Sequence, residues 1–217
     1  MNHSPSASSR VGSLLGTCPV VAVIRIDSAG RAVDLARTLV EAGLYALEIT
    51  LRTPAACAAI ERIRAEVPEA NVGAGTVLNP HDLERVTRAG ARFAIAPGCT
   101  GTLYRAAVDL PLPLVPGVAT ASEIMRGLEQ GHECFKFFPA QAAGGAELLK
   151  AWSGPFPNAR FIPTGGVTVD NAPRYLALAN VMAVGGSWMV PEDAIAAGDW
   201  ERIAGLARAC QNLKQST

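Results

Sequence analysis

Short runs rich in β-branched and apolar residues alternate with longer helical patterns along most of this chain, which restricts it to parallel α/β folds. Eight runs read as strands: VVAVI from Val20, ALEIT from Ala46, NVGAGT from Asn71, FAIAP from Phe93, PLVPG from Pro113, CFKFFP from Cys134, RFIPTGG from Arg160 and VMAVGGS from Val181. Their starts lie about 20–26 residues apart, room for a strand, a helix and two loops. RAVDLARTLVEAG carries Val33, Leu35, Ala36, Leu39 and Val40 at helical spacing, and Gly43 stands where a helix would stop. In PHDLERVTRAG, Asn79 can cap, Pro80 suits the first helical position and Gly90 ends the element. ASEIMRGLEQG repeats the plan, with Thr120 or Ser122 as cap and Gly131 as stop.

Each crossover in such a series returns the chain to the same edge, so the strands pair in parallel. Closure into a ring accounts for the number eight and for the lack of a polar edge strand. The expected fold is a single-domain (β/α)8 TIM barrel over residues 13–217, after a flexible, Ser-rich extension over residues 1–12. An open doubly wound sheet would want a G-x-G-x-x-G cluster after its first strand, and VVAVIRIDSAG has none. No linker or composition shift divides the interior; PLPLVP, from Pro111, is too short and too apolar to separate domains.

The 19 basic residues balance the 19 acidic ones, which argues against a nucleic-acid or anionic-membrane footprint. Five scattered cysteines, with no C-x-x-C pair, argue against a disulfide framework or a zinc site, so a reducing, cytoplasmic setting is expected. VGSLLGTCPVVAVI loosely imitates the apolar part of a secretion signal. It lacks a clear small-residue cleavage site and runs into Arg25 and Asp27. No apolar run is long enough to span a bilayer. No metal and no organic cofactor is expected.

Barrel active sites lie at the carboxyl ends of the strands. In CFKFFP, period-two alternation puts Phe135 and Phe137 toward the helices and Lys136 toward the interior. A buried ammonium is costly unless it is paired or neutral, and a neutral amine can attack a ketone to form an imine. Lys136 can also bury only its stem and reach solvent at the strand end. In ALEITLR, Leu47, Ile49 and Leu51 form the apolar face, leaving Glu48 and Thr50 inward and Arg52 just beyond. Glu48 can shuttle protons and Arg52 can bind a carboxylate in two-pronged fashion, or the two can form a merely structural ion pair. Thr76 ends a strand of small residues, as a ligand contact or a helix cap. The pairs Gly165–Gly166 and Gly185–Gly186, after the last two strands, let backbone N–H groups converge on a phosphate.

Taken in order, LEITLRT, VGAGTVLNP, FAIAPG, LVPGVAT, FKFFPA, PTGGV and VGGSWMVP resemble the bacterial 2-keto-3-deoxy-6-phosphogluconate aldolases, also called 4-hydroxy-2-oxoglutarate aldolases. The likeness runs from about Cys18 to Cys210. It implies a metal-free class I lyase of the Entner-Doudoroff pathway, usually a homotrimer, acting on a small keto-acid sugar phosphate. The products would be pyruvate and glyceraldehyde 3-phosphate; 4-hydroxy-2-oxoglutarate, giving pyruvate and glyoxylate, is a second substrate. Carried onto this sequence, Lys136 would be the Schiff-base lysine and Glu48 the acid/base. Arg52 and Thr76 would hold the pyruvyl carboxylate, while Pro97 and Phe138 would line the ketone pocket. Gly165, Gly166, Gly186 and Ser187 would bind phosphate, and Thr164 a substrate hydroxyl. Two alternatives remain at this level: a sugar-phosphate isomerase or epimerase that enolises with Glu48, and a phosphosugar-binding protein without catalysis.

Overall fold

The computed structural model describes residues 11–14 and 19–213. The Ser-rich stretch 1–10 expected to be frayed lies outside them. The strands are β1 (Val20–Ile24), β2 (Ala46–Thr50), β3 (Asn71–Gly75), β4 (Ala94–Ile95), β5 (Leu114–Val115), β6 (Gly117–Val118), β7 (Cys134–Phe137), β8 (Arg160–Pro163) and β9 (Val184–Gly186). Helices α1 (Ala29–Glu41), α2 (Ala56–Glu66), α3 (Pro80–Arg88), α4 (Gly101–Val108), α5 (Ala121–Glu129), α6 (Gly145–Trp152) and α7 (Ala172–Leu176) alternate with them, and α8 (Glu192–Ala197) and α9 (Trp200–Cys210) follow.

The helix ends follow local chemistry. Asn79 accepts the N–H of Asp82 at the start of α3, with Pro80 in the first turn. Thr120, rather than Ser122, caps α5 and forms a reciprocal capping box with Glu123. Gly43, Gly90 and Gly131 close α1, α3 and α5 in the left-handed region.

All strand pairing is parallel, in two sheets of order β5-β4-β3-β2-β1-β9 and β6-β7-β8. The expected fifth strand is split, so a single closed ladder of eight strands is not what the pairing gives. Pro116 divides it, because proline has no N–H to offer a ladder. Leu114 and Val115 pair with β4, while Gly117 and Val118 pair with β7. The Pro116 carbonyl accepts the Lys136 N–H at 2.9 Å, so the split segment serves both sheets. On the other side, single bridges join Phe161 to Val181 and Thr164 to Gly185.

Inward-facing side chains form two layers. At the amino ends of the strands, Val21, Ala46, Phe93, Ile95, Val115, Cys134, Ile162 and Ala183 make an apolar cluster. Two residues further on along β2, β7 and the β8 segment come Glu48, Lys136 and Thr164, all buried. The larger core lies between strands and helices and includes Leu47, Ile49, Phe135, Phe137 and Phe161. Val11, placed by sequence in the extension, sits in a helical turn over 11–14 and is 3% exposed within the inner apolar cluster.

Candidate active site

A cavity of about 370 Å³ opens over the polar inner layer. It is lined by every residue the sequence nominated: Glu48, Arg52, Thr76, Pro97, Lys136, Phe138, Thr164, Gly165, Gly166, Gly186 and Ser187. Val23, Thr50, Val167 and Gly185 complete it.

Its floor is an ion pair. Lys136 Nζ donates to Glu48 Oε1 at 2.8 Å, with the two side chains 7% and 1% exposed. Of the two states open to a buried amine, neutral or paired, the structure shows the pairing, with the inward carboxylate of β2. That partner offsets the cost of burying the charge and provides an acceptor for the proton the amine must lose before it can attack. The Phe138 ring lies 5.5 Å from Nζ and walls the amine on another side. Two positions along β7, burial pushes the Cys134 thiol up to about 12, so no competing thiolate stands below the lysine.

Space for Glu48 comes from β3. Glu48 is in register with Gly73, and a Cβ at Gly75 would fall 2.6 Å from Glu48 Cγ and closer still to Oε1. The next residue, Thr76, has φ +59, a backbone conformation rare for a β-branched residue. That turn brings Thr76 into the cavity wall at the end of β3. Thr50, buried on the inner face of β2, donates to the Ile24 carbonyl at 2.9 Å and accepts from Arg52 Nε at 3.0 Å. Arg52 is exposed, forms no ion pair among the described residues and lines the cavity.

The far wall is backbone. Gly165 and Gly166 have φ +95 and +75. The N–H groups of Gly166, Val167 and Ser187 have no backbone acceptor among the described residues. Unclaimed amides grouped on a cavity wall make an anion-binding concavity. Side chains would close it: a Cβ at Gly166 would lie 2.6 Å from Gln141 Cβ. No group of three or more His, Cys, Asp or Glu side chains among the described residues is arranged to hold a metal ion.

An interior lysine paired with a carboxylate, facing an amide-lined wall, matches one family across the chain. The sequence pattern of the KDPG and KHG aldolases fits residues 11–206. The chain belongs to that family. It is 54% identical over 196 residues to the KHG/KDPG aldolase of Escherichia coli (strain K12), covering 90% of this chain and 92% of that protein. Among solved structures it is similar to the KDPG aldolase of Legionella pneumophila, with pyruvate captured at low pH as a covalent carbinolamine intermediate. That match has TM-score 0.89 and 48% identity, covering 91% of this chain and 96% of the other. The Zymomonas mobilis ZM4 enzyme with 3-phosphoglycerate gives TM-score 0.88 and 43% identity, covering 95% and 97%. As a KDPG and KHG aldolase family member the chain is a carbon–carbon lyase. The isomerase and non-catalytic alternatives fall away with that membership.

Thr50 and Gly75 shape the site through what they touch, Thr50 by bonding Arg52 and Gly75 by leaving room for Glu48. Their signal was the inward phase of β2 and the small residues of β3. What each contacts depends on register between strands, which no local pattern carries.

Proposed function

We propose that this chain cleaves 2-dehydro-3-deoxy-6-phosphogluconate reversibly to pyruvate and glyceraldehyde 3-phosphate through a Schiff base on Lys136. The observation that carries the reading is the 2.8 Å contact between Lys136 Nζ and Glu48 Oε1 on the floor of a cavity whose opposite wall offers free amides.

Arg52 and Thr76 hold the pyruvyl carboxylate at the lysine end, and Pro97 and Phe138 pack beside the ketone. The amides around Gly165, Gly166, Gly186 and Ser187 take the phosphate, and Thr164 bonds a hydroxyl between them. Glu48 accepts a proton from Nζ, and the freed lone pair adds to the C2 carbonyl, giving a carbinolamine. Glu48 returns the proton to the C2 hydroxyl, water leaves, and a protonated imine remains. Through a water, Glu48 then takes the C4 hydroxyl proton. The C3–C4 bond breaks, its electron pair enters the iminium as an enamine, and glyceraldehyde 3-phosphate departs. Protonation at C3 and hydrolysis release pyruvate and restore the amine. The covalent carbinolamine of the Legionella relative and the 3-phosphoglycerate of the Zymomonas relative support the two ends of this scheme. The name of the Escherichia coli relative supports 4-hydroxy-2-oxoglutarate as a second substrate.

The same reading takes the two sheets as parts of one closed (β/α)8 barrel. The shared segment Leu114–Val118 on one side and the bridges at Val181 and Gly185 on the other support it. It also takes the enzyme as a cytoplasmic homotrimer. Light scattering tests the mass of the assembly. No helix among the described residues is long and apolar enough to cross a membrane.

Pyruvate with borohydride tests the chemistry. A reduced adduct is expected on Lys136 by peptide mass spectrometry, and none in Lys136→Ala. An adduct of equal yield in that variant overturns the assignment.

A further inference from the structure

The phosphate wall is built on the most deformable backbone in the site. Gly165 and Gly166 are adjacent and both at positive φ, and past the Thr164–Gly185 bridge the Gly166 amide has no acceptor among the described residues. Two glycines in series sample many orientations, so something else must hold the amides in convergence before a ligand arrives. The ladder ends at Thr164, whose carbonyl accepts the Ala140 N–H, and the Gly165 carbonyl accepts the Gln141 N–H at 3.0 Å. That fixes the plane entering Gly166. The plane leaving it is held by one side chain. Asn171 Nδ2 donates to the Gly166 carbonyl at 2.9 Å, while Asn171 Oδ1 accepts the Thr168 N–H at 2.8 Å.

This residue is well anchored. Its own N–H reaches Thr168 Oγ1 at 3.4 Å, and the Ala172 N–H bonds the Thr168 carbonyl at 2.9 Å, so Asn171 belongs to the first turn of α7. Its amide spans from that turn back across the loop. The peptide plane it grips is the one whose nitrogen is the Val167 N–H, on the cavity wall. Rotating the Gly166–Val167 plane turns that amide away from the cavity and breaks the Asn171 contact together. Neither Asn171 nor Thr168 lines the cavity or was singled out by the sequence.

We infer that Asn171 is a positioning residue that selects for phosphorylated substrates by locking the Gly166–Val167 peptide with its N–H toward the bound phosphate. The inference rests on the phosphate reading of that wall. It requires Asn171 to matter only for substrates that place a phosphate there. Removing one such hydrogen bond is worth about a tenfold change at most.

The test compares 2-keto-3-deoxy-6-phosphogluconate with unphosphorylated 2-keto-3-deoxygluconate in wild type, Asn171→Ala, Asn171→Asp and Thr168→Val. In Asn171→Ala, kcat/KM for the phosphorylated substrate should fall about five- to tenfold through KM, with kcat and the unphosphorylated substrate unchanged. Asn171→Asp should lose more, because a carboxylate cannot donate to the Gly166 carbonyl and adds negative charge near the phosphate. Thr168→Val loses the hydroxyl but keeps the clamp, so it should match wild type. Equal losses on both substrates, or no loss on either, overturn the positioning role. A wild type indifferent to the phosphate overturns the phosphate reading itself, and the inference with it.

Discussion

Replacing Gly75 by alanine adds one methyl group inside the inner polar layer. The new Cβ would sit 2.6 Å from Glu48 Cγ and closer to Oε1, where ordinary contacts need about 3.5 Å. About 1 Å of displacement is required, and Glu48, 1% exposed, has no solvent to enter. Gly75 does not have a positive φ, so alanine brings no backbone penalty and the effect is steric. A shift of that size stretches the 2.8 Å bond to Lys136 beyond hydrogen-bonding range. Two magnitudes follow. Overpacking costs about 1–3 kcal/mol of stability, and at this chain length each kcal/mol lowers the unfolding midpoint by about 2–4 °C. Loss of the positioned acid/base lowers kcat by about 10²–10⁴.

Gly73→Ala supplies the internal comparison. Its Cβ would lie 2.5 Å from Phe93 Cγ, in the apolar layer two residues earlier on the same strand. That change should cost comparable stability while leaving the lysine–glutamate pair intact. Thermal unfolding and steady-state cleavage, measured on both variants, separate the effects. Both should unfold earlier, and only Gly75→Ala should lose most of its turnover. Equal loss of kcat in the two, or normal kcat in a folded Gly75→Ala, would refute the claim that β3 makes room for the working carboxylate.

Thr50→Val removes the acceptor of Arg52 Nε and the donor to the Ile24 carbonyl, so half-saturation by pyruvate in borohydride trapping should rise about fivefold, from roughly 1 kcal/mol. Thr50→Ser should restore it. In an Arg52→Ala background the Thr50→Val change should have no further effect, and additive losses would count against the link. For pH, burial lowers the His132 pKa below its ordinary 6.5, with a smaller opposing effect from the Leu114 carbonyl. The unfolded chain then binds a proton first, so this contribution to stability is full above about pH 6.5 and is lost as pH falls below it. His132→Gln should flatten the decline in unfolding midpoint between about pH 7 and 5.5, and an unchanged slope would remove His132 as its source.

Local pattern carried a large part of the architecture and the site. A charged residue inside a run such as CFKFFP can only face inward or snorkel, and period-two alternation selects the inward face, so Lys136 and Glu48 were legible from their own strands. Caps and stops were legible for the same reason, since Asn79, Pro80 and Gly90 act within a few residues of themselves. What escaped was set by distant neighbours. Glu48 stands 88 positions from Lys136; the two were legible as inward-facing partners, while the 2.8 Å contact itself depends on how β2 and β7 are brought together. The break at Pro116 shows as a proline in PLVPG, yet only the flanking strands decide that the halves join different sheets. The φ of +59 at Thr76 opposes threonine's own preference and is imposed from outside.

The two-layer interior explains how one small domain tolerates this site. A buried ion pair is seldom a net source of stability, because the desolvation cost rivals the attraction between the charges. Here the charged layer rests on a closed apolar one, from Val21 and Ala46 to Phe93 and Ile162, that packs the amino ends of the strands and excludes water from below. The pair lines the cavity, so on the proposed reading the Lys136 amine meets the substrate's ketone beside the Glu48 carboxylate, which can take its proton. On that reading, the Gly166, Val167 and Ser187 amides across the cavity bind the phosphate, which takes no part in bond breaking. Interactions with such a remote group lower KM without entering the chemical step. Apolar packing thus fills one end of the strands and the polar layer the other, with Gly75 leaving room for Glu48 and Asn171 gripping the Gly166 carbonyl.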